Sequence, residues 1–196
     1  MSQVFGYPIK QFLIWCLANI LGFGALGASI LVFPSLFGRS GFFITISIIA
    51  IPISLAQWIA LRWLLQTSIS WVLTIPIGMP LSFLILRIIP AGLWFAADDD
   101  SLVAMTFSLL VVGLIIGLLQ WIILRRKLVR SGIWLLGSAI GVAGSFWVIL
   151  VTGLIDQSGI ISYIFVALAY SSVTGLFLSG LLAYNNQSQP SLVNAA

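Results

Sequence analysis

The sequence predicts an all-α fold: a polytopic membrane protein of six transmembrane helices arranged as three repeated helical hairpins. Three observations predict it. Of the 196 residues, 61% are hydrophobic and only 6% are charged, against roughly 25% charged in an ordinary soluble domain. So few polar groups cannot cover a water-facing surface, and the mean hydropathy of +1.22 agrees. The apolar residues fall into six runs close to the length a span needs, about 20 residues for ~30 Å of hydrocarbon. Finally, one stretch of the chain repeats another in register.

The first run covers 11–33 and the second about 42–61. The third runs from Trp71 to Pro90, and Asp98, Asp99 and Asp100 mark the loop behind it. The fourth runs from Leu102 to Leu124 and ends at the basic segment Arg125, Arg126, Lys127 and Arg130. The fifth covers about 133–155, a tight turn is expected over 156–159, and the sixth covers about 160–184. The runs are apolar on every face, whereas barrel strands alternate polar and apolar residues. Helices are then the structure that satisfies the backbone in lipid. The first run is longer than a usual signal-peptide core and shares a motif with later runs, so it is expected to be retained. One transmembrane domain over 1–184 and a polar tail over 185–196 complete the organisation.

A shift of 63 positions lays residues 54–83 on 117–146 without a gap, and fourteen of the thirty positions are then identical. Matches of Leu or Ile mean little in this composition. Matches of Gln57 with Gln120, Trp58 with Trp121, Arg62 with Arg125, Trp71 with Trp134 and Gly78 with Gly141 mean much more. The register extends weakly to Gly180, Leu181 and Leu182, where Ala183 replaces the Gln and Tyr184 the Trp. Trp-x6-Gly also occurs at Trp15 and Gly22. Three hairpins follow, over about 8–63, 64–126 and 127–184. Each holds two spans, so all three insert in the same sense, unlike inverted repeats.

The repeated Gln-Trp-x-x-Leu-Arg stands at Gln57, Trp58, Leu61 and Arg62 and again at Gln120, Trp121, Leu124 and Arg125. It resembles a motif of uncharacterised multi-spanning membrane proteins of the cyanobacterial type. The resemblance implies a protein of similar build and brings no substrate, cofactor or catalytic residue with it. The Pro-x-Asp/Glu-x-x-Lys/Arg signature of mitochondrial carriers, which also repeat a two-helix unit three times, is missing from every odd-numbered run.

Six spans put both termini on one side. That side receives Lys10, Arg62, Arg125, Arg126, Lys127 and Arg130. The other receives Arg39, with Arg87 near it, and all four aspartates. Lys/Arg excess marks the cytoplasmic side, so both termini are expected inside, in a bacterial inner membrane or a thylakoid membrane. Eight basic residues scattered over six spans make no phosphate-binding stripe, and no nucleic acid is expected. The basic segment suits anionic lipid or an acidic protein partner.

Candidate interface or ligand residues follow from the repeat. Trp58 and Arg62, like Trp121 and Arg125, lie four apart and so share a helix face. Such pairs anchor a helix in the interface, or bind a lipid headgroup or partner. Gln57 and Gln120 are amides inside spans, where they form interhelical hydrogen bonds or face a central cavity. Arg87 is a charge at the edge of a span, either snorkelling outward or acting on a ligand. Pro52, Pro76 and Pro80 fall inside the runs and are expected to kink them. Gly113-x3-Gly117 and Gly137-x3-Gly141 allow close helix packing, within the chain or in a homo-oligomer.

The chain has no His, no Glu and a single cysteine, Cys16. With these absences and no Asp inside an expected span, a Ser–His pair, a two-carboxylate site and a His/Cys metal site are not expected. No enzyme, cofactor or metal is therefore expected. An accessory, scaffolding or assembly role comes first. The alternative is a small-solute transporter or channel, with hydroxyls such as Thr74, Ser82, Ser145 and Ser171 along its path.

Overall fold

The computed structural model describes residues 3–32, 47–48, 50–88, 102–152 and 160–188. Among them are six α-helices and no strand: α1 (Gln3–Val32), α2 (Ile51–Leu65), α3 (Thr74–Ile88), α4 (Leu102–Leu124), α5 (Ile133–Thr152) and α6 (Ile160–Ser188). A 3-10 turn, Ile69–Leu73, leads into α3. The fourth apolar run coincides with α4 at both ends. The expected third run splits, because its first residues take the tighter 3-10 path from Trp71 to Leu73. Arg39, Asp98, Asp99, Asp100 and the turn at 156–159 lie outside the described residues.

Four stretches are long and apolar enough to cross a membrane: Ile9–Ser29, Ile69–Ile88, Leu102–Leu124 and Ile161–Asn186. Ile51–Leu65 and Ile133–Val148 are shorter apolar helices. The distribution of side chains is the reverse of that in a water-soluble protein. Ile9, Leu13, Leu17 and Leu21 form an exposed stripe along α1, one turn apart, while Asn19, Gln57, Gln120 and Thr174 are fully buried. Lipid solvates the leucines without cost, whereas the amides and hydroxyls need partners that only the interior supplies.

Each helix packs against its neighbours in the chain, and α6 returns to α1, so the six close into a ring. Small residues set the closest approaches. A Cβ on Gly113 would stand 2.6 Å from Cα of Ala139 and 2.7 Å from the Ser138 carbonyl oxygen, so α4 and α5 meet almost backbone to backbone. Gly137 and Gly141 face Phe177 and Thr174 of α6 in the same way. Both small-x3-small motifs are thus used inside the chain, at the α4–α5 and α5–α6 contacts.

The prolines behave differently from the expectation. Pro52 lies at the start of α2, and Pro76 is the third residue of α3. First-turn N–H groups have no partner within the helix, so proline costs little there. Of these three, Pro80 sits in a helix interior. At the other end of the chain, α6 continues to Ser188 and takes Asn185 out of the expected tail.

Candidate functional site

Three tryptophans, each 0% exposed, meet in the ring: Trp15 of α1, Trp71 of the 3-10 turn and Trp134 of α5. Trp134 stands edge-on to both others, with ring centroids 5.7 Å from Trp15 and 6.3 Å from Trp71. Edge-to-face geometry sets the positive rim of one indole against the negative face of the next. Buried leucines surround the cluster, Leu61, Leu124 and Leu178 among them.

An indole N–H buried in a bundle needs an acceptor, and each of the three finds one on another element. Trp71 Nε1 donates to Gln57 Oε1 of α2 at 3.3 Å, and Trp134 Nε1 donates to Gln120 Oε1 of α4 at 2.8 Å. Each of these pairs is fourteen residues apart. Trp15 Nε1 donates to Thr174 Oγ1 of α6 at 2.9 Å, and that hydroxyl donates to the Tyr170 carbonyl. The position equivalent to Gln120 on α6 is Ala183, so a threonine lying deeper on that helix serves instead.

The amides then join the pairs across the ring. Gln120 Nε2 donates to Gln57 Oε1 at 3.5 Å, and Gln57 Nε2 donates to Asn19 Oδ1 of α1 at 2.8 Å. Asn19 Nδ2 donates to the carbonyl of Trp15. One connected set of hydrogen bonds therefore joins α1, α2, the 3-10 turn, α4, α5 and α6.

Beyond this layer lies a central cavity of about 290 Å³, to which all six helices contribute: Phe23, Ile53, Met79, Val112, Val142 and Tyr170 are among its walls, and Gln57 touches it as well. Its two serines are satisfied by their own helices. Ser108 Oγ donates to the Ala104 carbonyl and Ser145 Oγ to that of Val142. Thr74, Ser82 and Ser171 likewise donate to Trp71, Gly78 and Leu168 carbonyls. Such back-bonding leaves the hydroxyl proton unavailable to a solute.

The basic residues gather at the end of the ring nearest the tryptophans. Arg62 lies 5.2 Å from the ring centre of Trp58, and Arg125 lies 5.2 Å from that of Trp121. A third stack places Arg130 over Tyr184 at 4.5 Å. Asn185 fixes the loop that carries Arg130. The Val129 N–H donates to its Oδ1 at 2.8 Å, while its Nδ2 donates to the carbonyls of Val129 and Leu181. Arg87 lies in the last turn of α3 and is exposed. About 24 Å of chain separates it from Trp71 at helical rise, so it takes no part in the amide and indole layer. Its charge complements the helix C-terminus.

Of the residues singled out from sequence, Gln57 and Gln120 are brought together, and the two Trp–Arg pairs stack as their spacing implies. Trp15, Asn19, Trp71, Trp134 and Thr174 carry the rest of the layer and were not singled out as site residues. The signal for two of them was present: fourteen residues separate the Gln from a Trp in both repeats. Comparison with family models, curated proteins and solved structures finds no match, so the functional reading rests on this geometry.

Proposed function

We propose that this chain is a six-span integral membrane protein of three repeated helical hairpins, with an accessory, scaffolding or assembly role in a bacterial inner membrane or thylakoid membrane, and that it performs no catalysis. Both termini and the basic end face the cytoplasm. The observation that carries this reading is the connected amide and indole layer, which crosses the ring where a solute would have to pass. Its donors and acceptors are committed to one another. The cavity beyond it is walled by hydrocarbon, and its serines are turned to their own helices. A transporter needs groups that can exchange protein partners for solute partners, and this arrangement favours a rigid body over a path.

The test is a cysteine accessibility map in a Cys16→Ala background, with single cysteines at positions 82, 116, 120 and 145. A dry interior leaves all four unlabelled by a membrane-impermeant thiol reagent while exposed positions such as 126 react. Labelling of all four would mark a water-filled path and replace this reading with that of a small-solute transporter or channel.

A further inference from the structure

A second cavity, of about 580 Å³, opens between the 3-10 turn with the start of α3 and the final turns of α4. Its volume is within the usual range for a ligand pocket, about 300–1,000 Å³. Its two ends differ in chemistry. At the basic end the walls are Thr67, Ser68, Ser70, Arg126 and Lys127; further along they are Leu73, Ile77, Leu119 and Ile122. Leu73, Ile77 and Ile122 are exposed at the surface of their helices, so the apolar end continues the lipid-facing surface.

We propose that this cleft binds an anionic phospholipid, with the phosphate between Arg126, Lys127 and the hydroxyls of the 66–70 segment and an acyl chain along Leu73, Ile77 and Ile122.

Two independent observations support an anion at the polar end. The first is charge. No Asp or Glu lies among the described residues, and the four aspartates of the chain are at 98–100 and 156. The first three precede α4 while Arg126 follows it, and 23 helical residues intervene, about 34 Å at 1.5 Å each. Among the described residues Arg126 and Lys127 therefore meet no carboxylate. The second is Thr67, which is 4% exposed and whose hydroxyl is without a hydrogen-bond partner among the described residues. A buried hydroxyl is costly to leave unpaired, and Thr67 lines the cleft, where a phosphate oxygen would supply the missing partner.

The apolar end decides between a lipid and a free phosphate. A soluble phosphate would gain nothing from Leu73, Ile77 and Ile122, whereas an acyl chain lies against them at the depth it already occupies. In lipid there is little hydrophobic gain from moving a chain onto protein, so the headgroup contacts supply the selectivity. Guanidinium binds phosphate oxygens in a bidentate fork and ammonium binds as a point charge, which suits one phosphodiester between Arg126 and Lys127.

The inference rests on the membrane reading above and not on the scaffolding role. It is tested by native mass spectrometry of the full-length chain in detergent, titrated with phosphatidylglycerol, phosphatidylcholine and glycerophosphate. Phosphatidylglycerol is expected to bind selectively. The Arg126→Gln/Lys127→Gln variant should bind it about thirty-fold more weakly, the value for two basic residues at an anionic surface. Thr67→Val should weaken it several-fold, while Arg62→Gln, basic and at the same end but outside the cleft, should leave it unchanged. Equal loss in Arg62→Gln would reduce the effect to general surface charge and overturn the site. Competition by glycerophosphate at the same concentration as the lipid would make it a free-phosphate site and overturn the lipid assignment. A chain that does not sediment with membranes fails the membrane reading itself, which separates that failure from failure of the cleft. Melting temperatures of the variants identify any loss that comes from unfolding.

Discussion

Gln57 and Gln120 meet inside the ring with Nε2 of Gln120 3.5 Å from Oε1 of Gln57, though 63 residues separate them. They are equivalent positions of the sequence repeat, yet their roles differ. Gln57 Oε1 accepts from Trp71 and from Gln120, and its Nε2 donates to Asn19. Gln120 accepts from Trp134 alone and donates to Gln57. Two copies of one residue thus become a hub and its spoke.

The asymmetry gives a ranking. Gln57→Leu strands three groups, the Asn19 oxygen and the Trp71 and Gln120 donors, whereas Gln120→Leu strands mainly the Trp134 donor. At about 1 kcal/mol for each stranded group, the losses are roughly 3 and roughly 1 kcal/mol. Reversible unfolding in mixed micelles measures both. Equal losses would show that the layer does not work as a connected set.

The tryptophans divide in the same way. Trp134 donates to Gln120 and stands edge-on to two rings, while the Trp58 indole N–H is buried with no hydrogen-bond partner among the described residues. Trp58→Phe removes a donor that gains nothing and keeps an aromatic face under Arg62, so it should change stability by less than about 0.5 kcal/mol, the scale of an exposed cation–π difference. Trp134→Phe leaves the Gln120 acceptor without its indole and should cost at least about 1 kcal/mol. The same unfolding assay compares them, and a larger loss for Trp58→Phe would contradict the burial argument.

Close approach supplies a third comparison, between two glycines of neighbouring helices. A Cβ on Gly113 meets the backbone of Ala139, which cannot rotate away, whereas a Cβ on Gly144 meets nothing within 4 Å. Gly113→Ala should push α4 and α5 apart and lower the melting temperature by several degrees. Gly144→Ala should be neutral or raise it, since alanine is the better helix former by about 1 kcal/mol. Thermal scans in one detergent decide the matter, and a tolerated Gly113→Ala would mean that the helices can separate freely.

Much of this architecture was legible because lipid imposes one strong constraint. Apolar length located α4, which begins and ends where the run Leu102 to Leu124 does, but not every boundary: α1 starts at Gln3, ahead of the first run, and α2 continues to Leu65, past the expected end of the second at 61. The recurring Gln, Trp and Arg at a 63-residue shift marked residues that meet in the fold. Other features left no linear trace. Asn19 and Thr174 complete the layer, but neither belongs to the 63-residue repeat and Thr174 is one of several hydroxyl residues in its run, so only tertiary proximity makes it stand in for the glutamine missing at Ala183. The prolines misled because composition alone cannot tell a first turn from a helix interior. Arg130 reaches Tyr184 from a different segment, so its stack has no four-residue spacing to reveal it.

The Asn185 clamp gives the last comparison, and it bears on how the basic loop is presented. Its side chain exchanges two hydrogen bonds with the backbone of Val129 and is itself held by the Leu181 carbonyl. The loop between α4 and α5 thereby stays seated on α6, with Leu128 buried beside Trp134 and Leu181 in one cluster. Asn185→Ala removes both bonds to Val129. At about 1 kcal/mol each, the open loop becomes roughly thirty-fold more populated. When opening is fast relative to cleavage, proteolysis follows that population. Trypsin should then cut after Lys127 or Arg130 about thirty-fold faster in the variant, at a protease concentration low enough for the rate to scale with it. Arg126→Gln, which leaves the clamp intact, should not accelerate cutting after Arg130. Cleavage unchanged by Asn185→Ala would mean that the burial of Leu128 alone seats the loop and that the amide contributes nothing measurable to its position.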